Sequence, residues 1–381
     1  MKILFLGGTG RISKDVASLA LSKNCEIYIF TRGSDARKRY VNPSYHLIYG
    51  DIYNYEDAKN KLQGYKFDVV ADFLTFNVPQ LKQKLEILEG KYRQYILVSS
   101  ATVYKNEDGS VISEDITPVG NNKWKYAYDK FLCEKYLEEY FDVHNDAYYT
   151  IVRPYVTYGN TRFPYPIIPQ DSLMEWTLVD RMLKGLPVIQ YDNGLTKTTL
   201  THTKDFAIGF VGLFCNIGAR NEAFHITNPT IVTWRDVLST IQKILNLQAN
   251  IIDLPKEKIY QYLPEFKDIL LGDKARDTIF DDEKLKRVVP EFECNITLAD
   301  GLQDTIQYYI DNPEIQLVDY IWNGRVDRAL IKNGISVSVN YKFNSVGDRF
   351  KYYIGRNIVL YKTYHVTMKI LGKCRRLMKR K

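Results

Sequence analysis

The chain has 381 residues, 45% of them hydrophobic and 25% charged, the composition of a globular protein with enough chain for a large core or two lobes. No run of about 18 apolar residues occurs, so no transmembrane helix is expected, and no charged-then-apolar leader is read, so a cytoplasmic protein is expected. The formal net charge of +7 is unevenly placed: residues 341–381 hold twelve Lys/Arg against one acid, Asp348, for +11, which leaves −4 for residues 1–340. An anionic partner is therefore a question about the tail. The five cysteines, Cys25, Cys133, Cys215, Cys294 and Cys374, are scattered without a C-x-x-C pair. They read as free thiols in a reducing compartment, with no metal site.

In chain order, the first signal is Met1–Ser13, M-K-I-L-F-L-G-G-T-G-R-I-S. An apolar run, Ile3–Leu6, ends in Gly7, Gly8, Thr9 and Gly10, and a helical pattern follows at Ile12, Val16, Leu19 and Ala20. That is strand, glycine turn, helix. Glycines let the backbone take positive φ and approach a ligand closely, and a helix N-terminus offers N–H groups to a pyrophosphate. Ser13 stands where a third glycine would complete G-x-x-G-x-x-G, and a small shift of the turn is expected there. Cys25–Thr31 predicts a second strand, which ends in Thr31 and Arg32 with no carboxylate for a ribose 2′-OH. Arg32 therefore leans toward a 2′-phosphate and NADP.

Tyr45–Ile52, Phe67–Phe73 and Tyr95–Ser100 predict three further strands, with helices over Asp57–Leu62 and Gln80–Leu88. Strands alternating with helices mean a parallel, doubly wound α/β sheet, with ligands beyond the strands' carboxyl ends. Gly7–Ser13, Arg32, Asp51 and Ser99–Ser100 all fall there. Downstream, Tyr126 and Lys130 lie in a helical stretch, and i, i+4 spacing places them on one face. A phenol titrates near pH 10, too high for a base at neutrality, and a neighbouring ammonium lowers that value. With Ser100 holding a substrate oxygen, Tyr126 would move a proton at a carbinol while a nicotinamide takes or gives hydride.

Together these residues resemble the extended short-chain dehydrogenase/reductases, the NAD-dependent epimerase/dehydratase family acting on nucleotide sugars. The resemblance is carried by Gly7-Gly8-Thr9-Gly10, Asp51-Ile52, Ser99-Ser100-Ala101-Thr102-Val103-Tyr104, Tyr126-x-x-x-Lys130 and Arg153-Pro154. Asp205-Phe206-Ala207 and the helix Leu298–Tyr309, with Asp300-Gly301-Leu302, match the family's second half. It implies a Rossmann-type domain over 1–159, with later segments returning to it, a smaller substrate lobe mainly over 160–312 and an extension over 313–381. It implies NAD or NADP held by Gly7, Gly8, Thr9, Gly10, Arg11, Ile12, Arg32, Asp51, Ile52, Tyr126, Lys130 and Arg153. Ser100 would orient substrate, Tyr126 serve as acid/base, and Lys130 activate Tyr126 and contact the nicotinamide ribose.

Within that family, 4,6-dehydratases carry an Asp-Glu pair just after the Ser/Thr. Ala101 and Thr102 stand there, which favours a 4-epimerase or ketoreductase on a nucleotide sugar. Three departures concern the sugar nucleotide more than the redox chemistry. Asp72-Phe73-Leu74-Thr75-Phe76 replaces an apolar-Ala-Ala segment, Val156 replaces a substrate-touching Asn, and Thr198, beside Lys197, replaces a diphosphate-gripping Arg. Trp176, Asp180-Arg181, Gly185-x-Pro187 and Thr201-His202-Thr203-Lys204-Asp205 also resemble the chloroplast stem-loop-binding branch, whose members bind RNA and generally lack the Tyr/Lys pair. Retention of Tyr126 and Lys130 argues for an enzyme and against nucleic acid, and His202 reads as structural rather than catalytic.

Beyond the resemblance, helices are expected at Met174–Leu183, Asp205–Leu213 and Thr233–Ile244, the last opening near a capping box of Thr233 and Asp236. Ile335–Phe343 alternates like an edge strand. From Val359, the residues Leu360, Tyr364, Met368, Leu371 and Cys374 recur at helical spacing, while Lys362, Lys369, Lys373 and Arg376 lie mostly off that stripe. Such a basic amphipathic helix suits an anionic membrane surface, the chain's own body or the second subunit of a homodimer.

Overall fold

The computed structural model describes residues 1–33, 41–337 and 341–378. The alternating pattern becomes a parallel sheet of seven strands. Five of them are β1 (Lys2–Leu6), β2 (Glu26–Thr31), β3 (His46–Tyr49), β4 (Phe67–Asp72) and β5 (Tyr92–Val98). Tyr148–Pro154 and Glu222–Ile226 complete it. The order is Glu222–Ile226, Tyr148–Pro154, β5, β4, β1, β2, β3, and every neighbouring pair runs parallel. Chain order reverses between β1 and β4, the switch point where open α/β sheets bind ligands.

Strand side chains alternate between the sheet's faces. Phe5, Ile29, Ala71 and Ile96 build one buried layer with Val16, Phe206 and Phe210. Leu4, Leu6, Val70 and Leu97 build the other with Leu81, Leu85, Cys133 and Leu137. The crossover helices are α1 (Ser13–Ser22), α2 (Tyr55–Lys61), α3 (Val78–Leu88) and α4 (Lys125–Val143). Asn54 and Asn77 start α2 and α3 by accepting from the N–H groups of Asp57 and Gln80. The helix Trp234–Ile244 opens on a reciprocal pair: the Thr233 N–H donates to Asp236 Oδ2 at 2.7 Å and the Asp236 N–H to Thr233 Oγ1 at 3.2 Å.

The chain divides into two compact units. The first is Met1–Pro164, Thr196–Val237 and Asp268–Tyr308; the second is Tyr165–Leu195, Leu238–Lys267 and Tyr309–Lys381. The extension over 313–381 thus folds with parts of the expected 160–312 lobe, and 196–237 and 268–308 return to the sheet. The second unit holds a parallel strand pair, Val188–Tyr191 with Ile251–Leu254. Arg181 is buried there: Nη2 reaches Asp327 at 2.6 Å, Nη1 donates to Asn323 and Tyr341, and Nε donates to the Pro187 carbonyl. Of the expected strand Ile335–Phe343, residues 338–340 lie outside the described residues, and 335–337 and 341–343 form no strand.

The helices Tyr320–Lys332 and Val346–Arg356 meet backbone to backbone. A Cβ on Gly324 would strike the Tyr352 carbonyl oxygen, and one on Gly355 the Ile321 carbonyl oxygen. Neither neighbour can rotate away. Gly324→Ala and Gly355→Ala should each destabilise the chain by about 1–3 kcal/mol, the cost of overpacking. Gly347→Ala on the second helix, whose Cβ would find only Ser345 Oγ at 3.6 Å, should not. Urea midpoints followed by circular dichroism check the contrast.

Candidate active site

The site forms in the first unit, at the carboxyl ends of β1, β4 and β5. The turn after β1 places Gly7 at φ +91°, and a Cβ there would press on the Leu74 side chain at 2.9 Å. Ser13 is buried and closes the turn from inside. Its Oγ donates to the Gly7 carbonyl at 2.5 Å and accepts from the Gly10 N–H at 2.9 Å. A third glycine would leave both groups to other partners. No side chain caps α1, and Gly7, Thr9, Gly10, Arg11 and Ile12 remain partly accessible while Gly8 is buried. A partly accessible glycine turn at a helix N-terminus fits a dinucleotide pyrophosphate. Arg32 is exposed at the end of β2. Asp51 sits at the end of the β3 segment, where its Oδ1 accepts from the Tyr53 N–H, and Ile52 beside it is buried.

Ser100 follows β5 and starts a short 3-10 turn, Ala101–Val103. Its hydroxyl lies 2.9 Å from Thr102 Oγ1 and is near enough to the Tyr126 phenol to favour its ionised form. Tyr126 is half-buried in the first turn of α4. Burial raises its pKa; the Ser100 hydrogen bond and the positive charge of Arg162 work against that rise. Lys130, one turn on, is fully buried and donates to the Thr75 carbonyl at 2.5 Å and the Val98 carbonyl at 2.8 Å. Its Nζ stands 5.9 Å from the Tyr126 ring centre and 5.0 Å from that of Phe76. Burial pulls its pKa down to about 8, and Asp72 opposes that fall. The helical face is shared, as i, i+4 spacing requires, but two carbonyls hold the ammonium. Ser100 and Arg162 also act on the phenol.

Beneath the trio lies a buried polar network built on Asp72, the last residue of β4. Its carboxylate accepts from Thr75 Oγ1 at 2.5 Å, Tyr95 Oη at 2.6 Å, the Leu74 N–H at 2.8 Å and Lys84 Nζ at 3.1 Å. Lys84 Nζ also donates to Thr75 Oγ1 at 2.8 Å. Burial pushes the Asp72 pKa up, but Lys84 and these hydrogen bonds outweigh it and hold the carboxyl below its ordinary value. Thr75 joins the two halves: its hydroxyl serves Asp72 and Lys84, and its carbonyl takes Lys130.

Arg153, expected beside the cofactor, is committed elsewhere. It is buried, with Nε and Nη2 on the two oxygens of Glu134 at 3.0 and 2.8 Å and Nη1 on Tyr104 Oη at 2.9 Å. That bidentate pair clamps α4, one turn past Lys130, onto the Tyr148–Pro154 strand. Tyr104 Oη accepts from Arg153 and donates to His225 Nδ1 at 3.2 Å, and His225 Nε2 donates to the Asp281 carbonyl at 2.8 Å. Glu114, His225 and Asp281 are close enough to suggest a cation site. A carbonyl only accepts, however, so Nε2 carries a hydrogen and is not a ligand. Burial drives His225 down to about 3 and Glu114 up to about 7.

His202 is buried and caps the helix Thr203–Gly212, its Nδ1 accepting from the Lys204 N–H at 3.3 Å. Thr198 is buried and Lys197 exposed in a small antiparallel pair. The residues missed from sequence are Thr75, Lys84, Tyr95, Glu134 and Arg162. Only Asp72, an acid ending an apolar strand, carried a local signal.

The sequence model of the NAD dependent epimerase/dehydratase family matches residues 3–226. The chain is 27% identical over 326 residues to the chloroplast stem-loop binding protein of 41 kDa b of Arabidopsis thaliana, covering 80% of this chain and 78% of that one. Its fold is similar to that of UDP-glucuronic acid 4-epimerase from Bacillus cereus, solved with UDP-glucuronic acid and NAD (TM-score 0.65, 20% identity, 82% of this chain and 100% of that one). It is similar also to dTDP-glucose 4,6-dehydratase from Bacillus anthracis, solved with NAD (TM-score 0.66, 21% identity, 82% and 98%).

Two stability measurements follow from the polar clusters. Asp72→Asn strands the buried Lys84 ammonium and should cost about 3–5 kcal/mol, whereas Asp72→Asn with Lys84→Met should recover most of it. Glu114 has a folded pKa of about 7 against an ordinary 4.5. Between those values the folded chain keeps a proton that the unfolded chain releases, so stability falls as pH rises across the window, by about 3 kcal/mol at most. Glu114→Gln should add that stability above pH 7 and change little below pH 4.5, read from urea unfolding at each pH.

Proposed function

The chain belongs to the NAD-dependent epimerase/dehydratase family, and from that premise we propose that it is an NAD(P)-dependent epimerase or ketoreductase of a nucleotide-activated sugar. The observation that carries this is the convergence of Ser100 and Tyr126 at the end of β5, where the Ser100 hydroxyl favours the ionised phenol, with Lys130 held one helical turn from Tyr126. Gly7–Ile12 and the start of α1 would hold the dinucleotide, with Arg32 and Asp51 at its ribose side. Arg32, with no carboxylate ending β2, favours NADP. When bound, the nicotinamide supplies hydride acceptance and return.

Tyr126 takes the proton from a carbinol oxygen and gives it back, while Ser100 holds that oxygen in line with the phenol. Lys130 keeps positive potential under the pair, and Arg162 adds to it at the phenolate. Ala101 and Thr102 place no acid after Ser100, which favours epimerisation or ketone reduction over elimination. The nucleotide sugar is supported by the substrate named with the Bacillus cereus enzyme. The similarity to the Arabidopsis protein supports a second reading, binding of a nucleic-acid stem-loop.

One comparison separates them. Wild type and Tyr126→Phe are incubated with a panel of UDP- and dTDP-sugars, products are separated by chromatography, and the released cofactor is identified. Tyr126→Phe should lose about 10²–10⁴-fold in rate at unchanged cofactor content. Equal turnover by both removes the assigned role of Tyr126. No turnover by either, with tight binding of a stem-loop RNA, replaces the enzyme with the second reading.

A further inference from the structure

The second unit carries a basic cavity that the redox chemistry does not use. It has a volume of about 830 Å³ and lies between the helices Tyr320–Lys332 and Ile358–Met378, closed by residues 261–265 and 170–171. Positions 325, 328 and 332 of one helix and 358, 361, 362 and 365 of the other recur at helical spacing, so each helix turns one stripe to the cavity. Arg325 and Arg328 stack on Tyr361, 4.5 and 5.8 Å from its ring centre.

The charges do not cancel locally. Arg325 pairs with Glu265 at 2.6 Å. The other two acids have backbone duties: Asp319 accepts from the Trp322 N–H to start its helix, and Asp171 accepts from the Leu173 N–H in a turn. Arg328 donates to the Gly355 carbonyl at 2.9 Å, and none of Arg328, Lys332 and Lys362 is ion-paired with a carboxylate among the described residues. Two donors are buried without an acceptor, Trp322 Nε1 and Arg325 Nε, and both residues are more than nine-tenths buried. Native interiors rarely leave such donors unanswered. Lys332 and Lys362, exposed and without a carboxylate, beside Arg328 give the cavity a cationic lining that suits a phosphate oxyanion.

The same helix shows which phosphate. Away from the cavity it exposes Val359, Leu360, Tyr364, Val366, Met368, Ile370 and Leu371, with Val359 at 67%, Val366 at 57% and Ile370 at 56%. No described helix is long and apolar enough to cross a membrane. A helix that is apolar on its outer faces, next to a cationic cavity, in a segment of charge +11 over 341–381, matches an anionic bilayer surface. We propose that this cavity binds the phosphate of an anionic lipid headgroup, with Ile358–Met378 lying on the bilayer. Arg328, Lys332 and Lys362 would face the phosphate, and Val366 and Ile370 would enter the acyl boundary.

The full chain is tested by co-sedimentation with vesicles of phosphatidylcholine alone and with roughly one-third phosphatidylglycerol. Wild type should sediment with the anionic vesicles only. Lys332→Glu/Lys362→Glu should weaken that at least tenfold, and Val366→Ser/Ile370→Ser should weaken it while leaving the chain folded by circular dichroism. Inorganic pyrophosphate should compete with wild type for the vesicles. No sedimentation, or sedimentation that both variants retain, overturns the proposal. Pyrophosphate binding that Lys332→Glu/Lys362→Glu abolishes, without vesicle binding, points to a soluble phosphate in this cavity and overturns the lipid. Self-association abolished by the serine variant, or RNA binding abolished by the glutamate variant, overturns it likewise if vesicles are ignored.

Discussion

One buried carboxylate sets the charge balance under Ser100, Tyr126 and Lys130. Asp72 sits at the end of a central strand, where water is excluded and an isolated charge would be intolerable. It is answered by Lys84, by two hydroxyls and by a backbone N–H. Its field also reaches Lys130. Two buried lysines thus lie in the field of one carboxylate. The Lys130 ammonium is further held by two carbonyls, one of them from Thr75, whose hydroxyl bonds Asp72. Geometry and charge at the site therefore depend on the same four residues, Asp72, Thr75, Lys84 and Lys130.

What the sequence made legible follows from range. The glycine turn and the Tyr126/Lys130 pair are local: a strand ending in glycines and an i, i+4 spacing fix geometry within a few residues. The parallel sheet was legible for the same reason, since each apolar run and each helix announces itself. Ser13 shows the limit. It was read as a small perturbation of a glycine motif, whereas its hydroxyl clips the turn together. That exchange of hydrogen bonds is invisible to a pattern that asks only for small residues.

The rest was not legible because it is made across the fold. Lys84 is twelve positions from Asp72 and faces it only because α3 packs on the sheet beside β4. Arg153 was assigned to the cofactor, yet Glu134 is a stronger claimant. A buried guanidinium needs a fork of acceptors, and α4 presents one at the level of its strand. Later segments were expected to return to the sheet domain, but which ones was not legible: 196–237 and 268–308 fold with 1–164, and 309–381 folds with 165–195 and 238–267. Arg181, paired with Asp327, is the buried contact that ties the extension to the earlier segment.

Thr102 links the local structure to the choice of reaction. In dehydratase-like chemistry the positions after Ser100 would supply an acid for elimination. Here Ala101 and Val103 are buried apolar residues of a tight turn, and Thr102 gives its Oγ1 to the Ser100 hydroxyl. The same hydroxyl accepts from the Thr102 N–H at 3.3 Å. Ser100 is therefore oriented from its own turn on one side and meets Tyr126 on the other. A turn that spends its one polar side chain on the serine has no acid left to protonate a leaving hydroxyl. Under the proposed function, proton traffic would fall to Tyr126 alone, which suits oxidation of a carbinol and reduction of the resulting ketone better than expulsion of water.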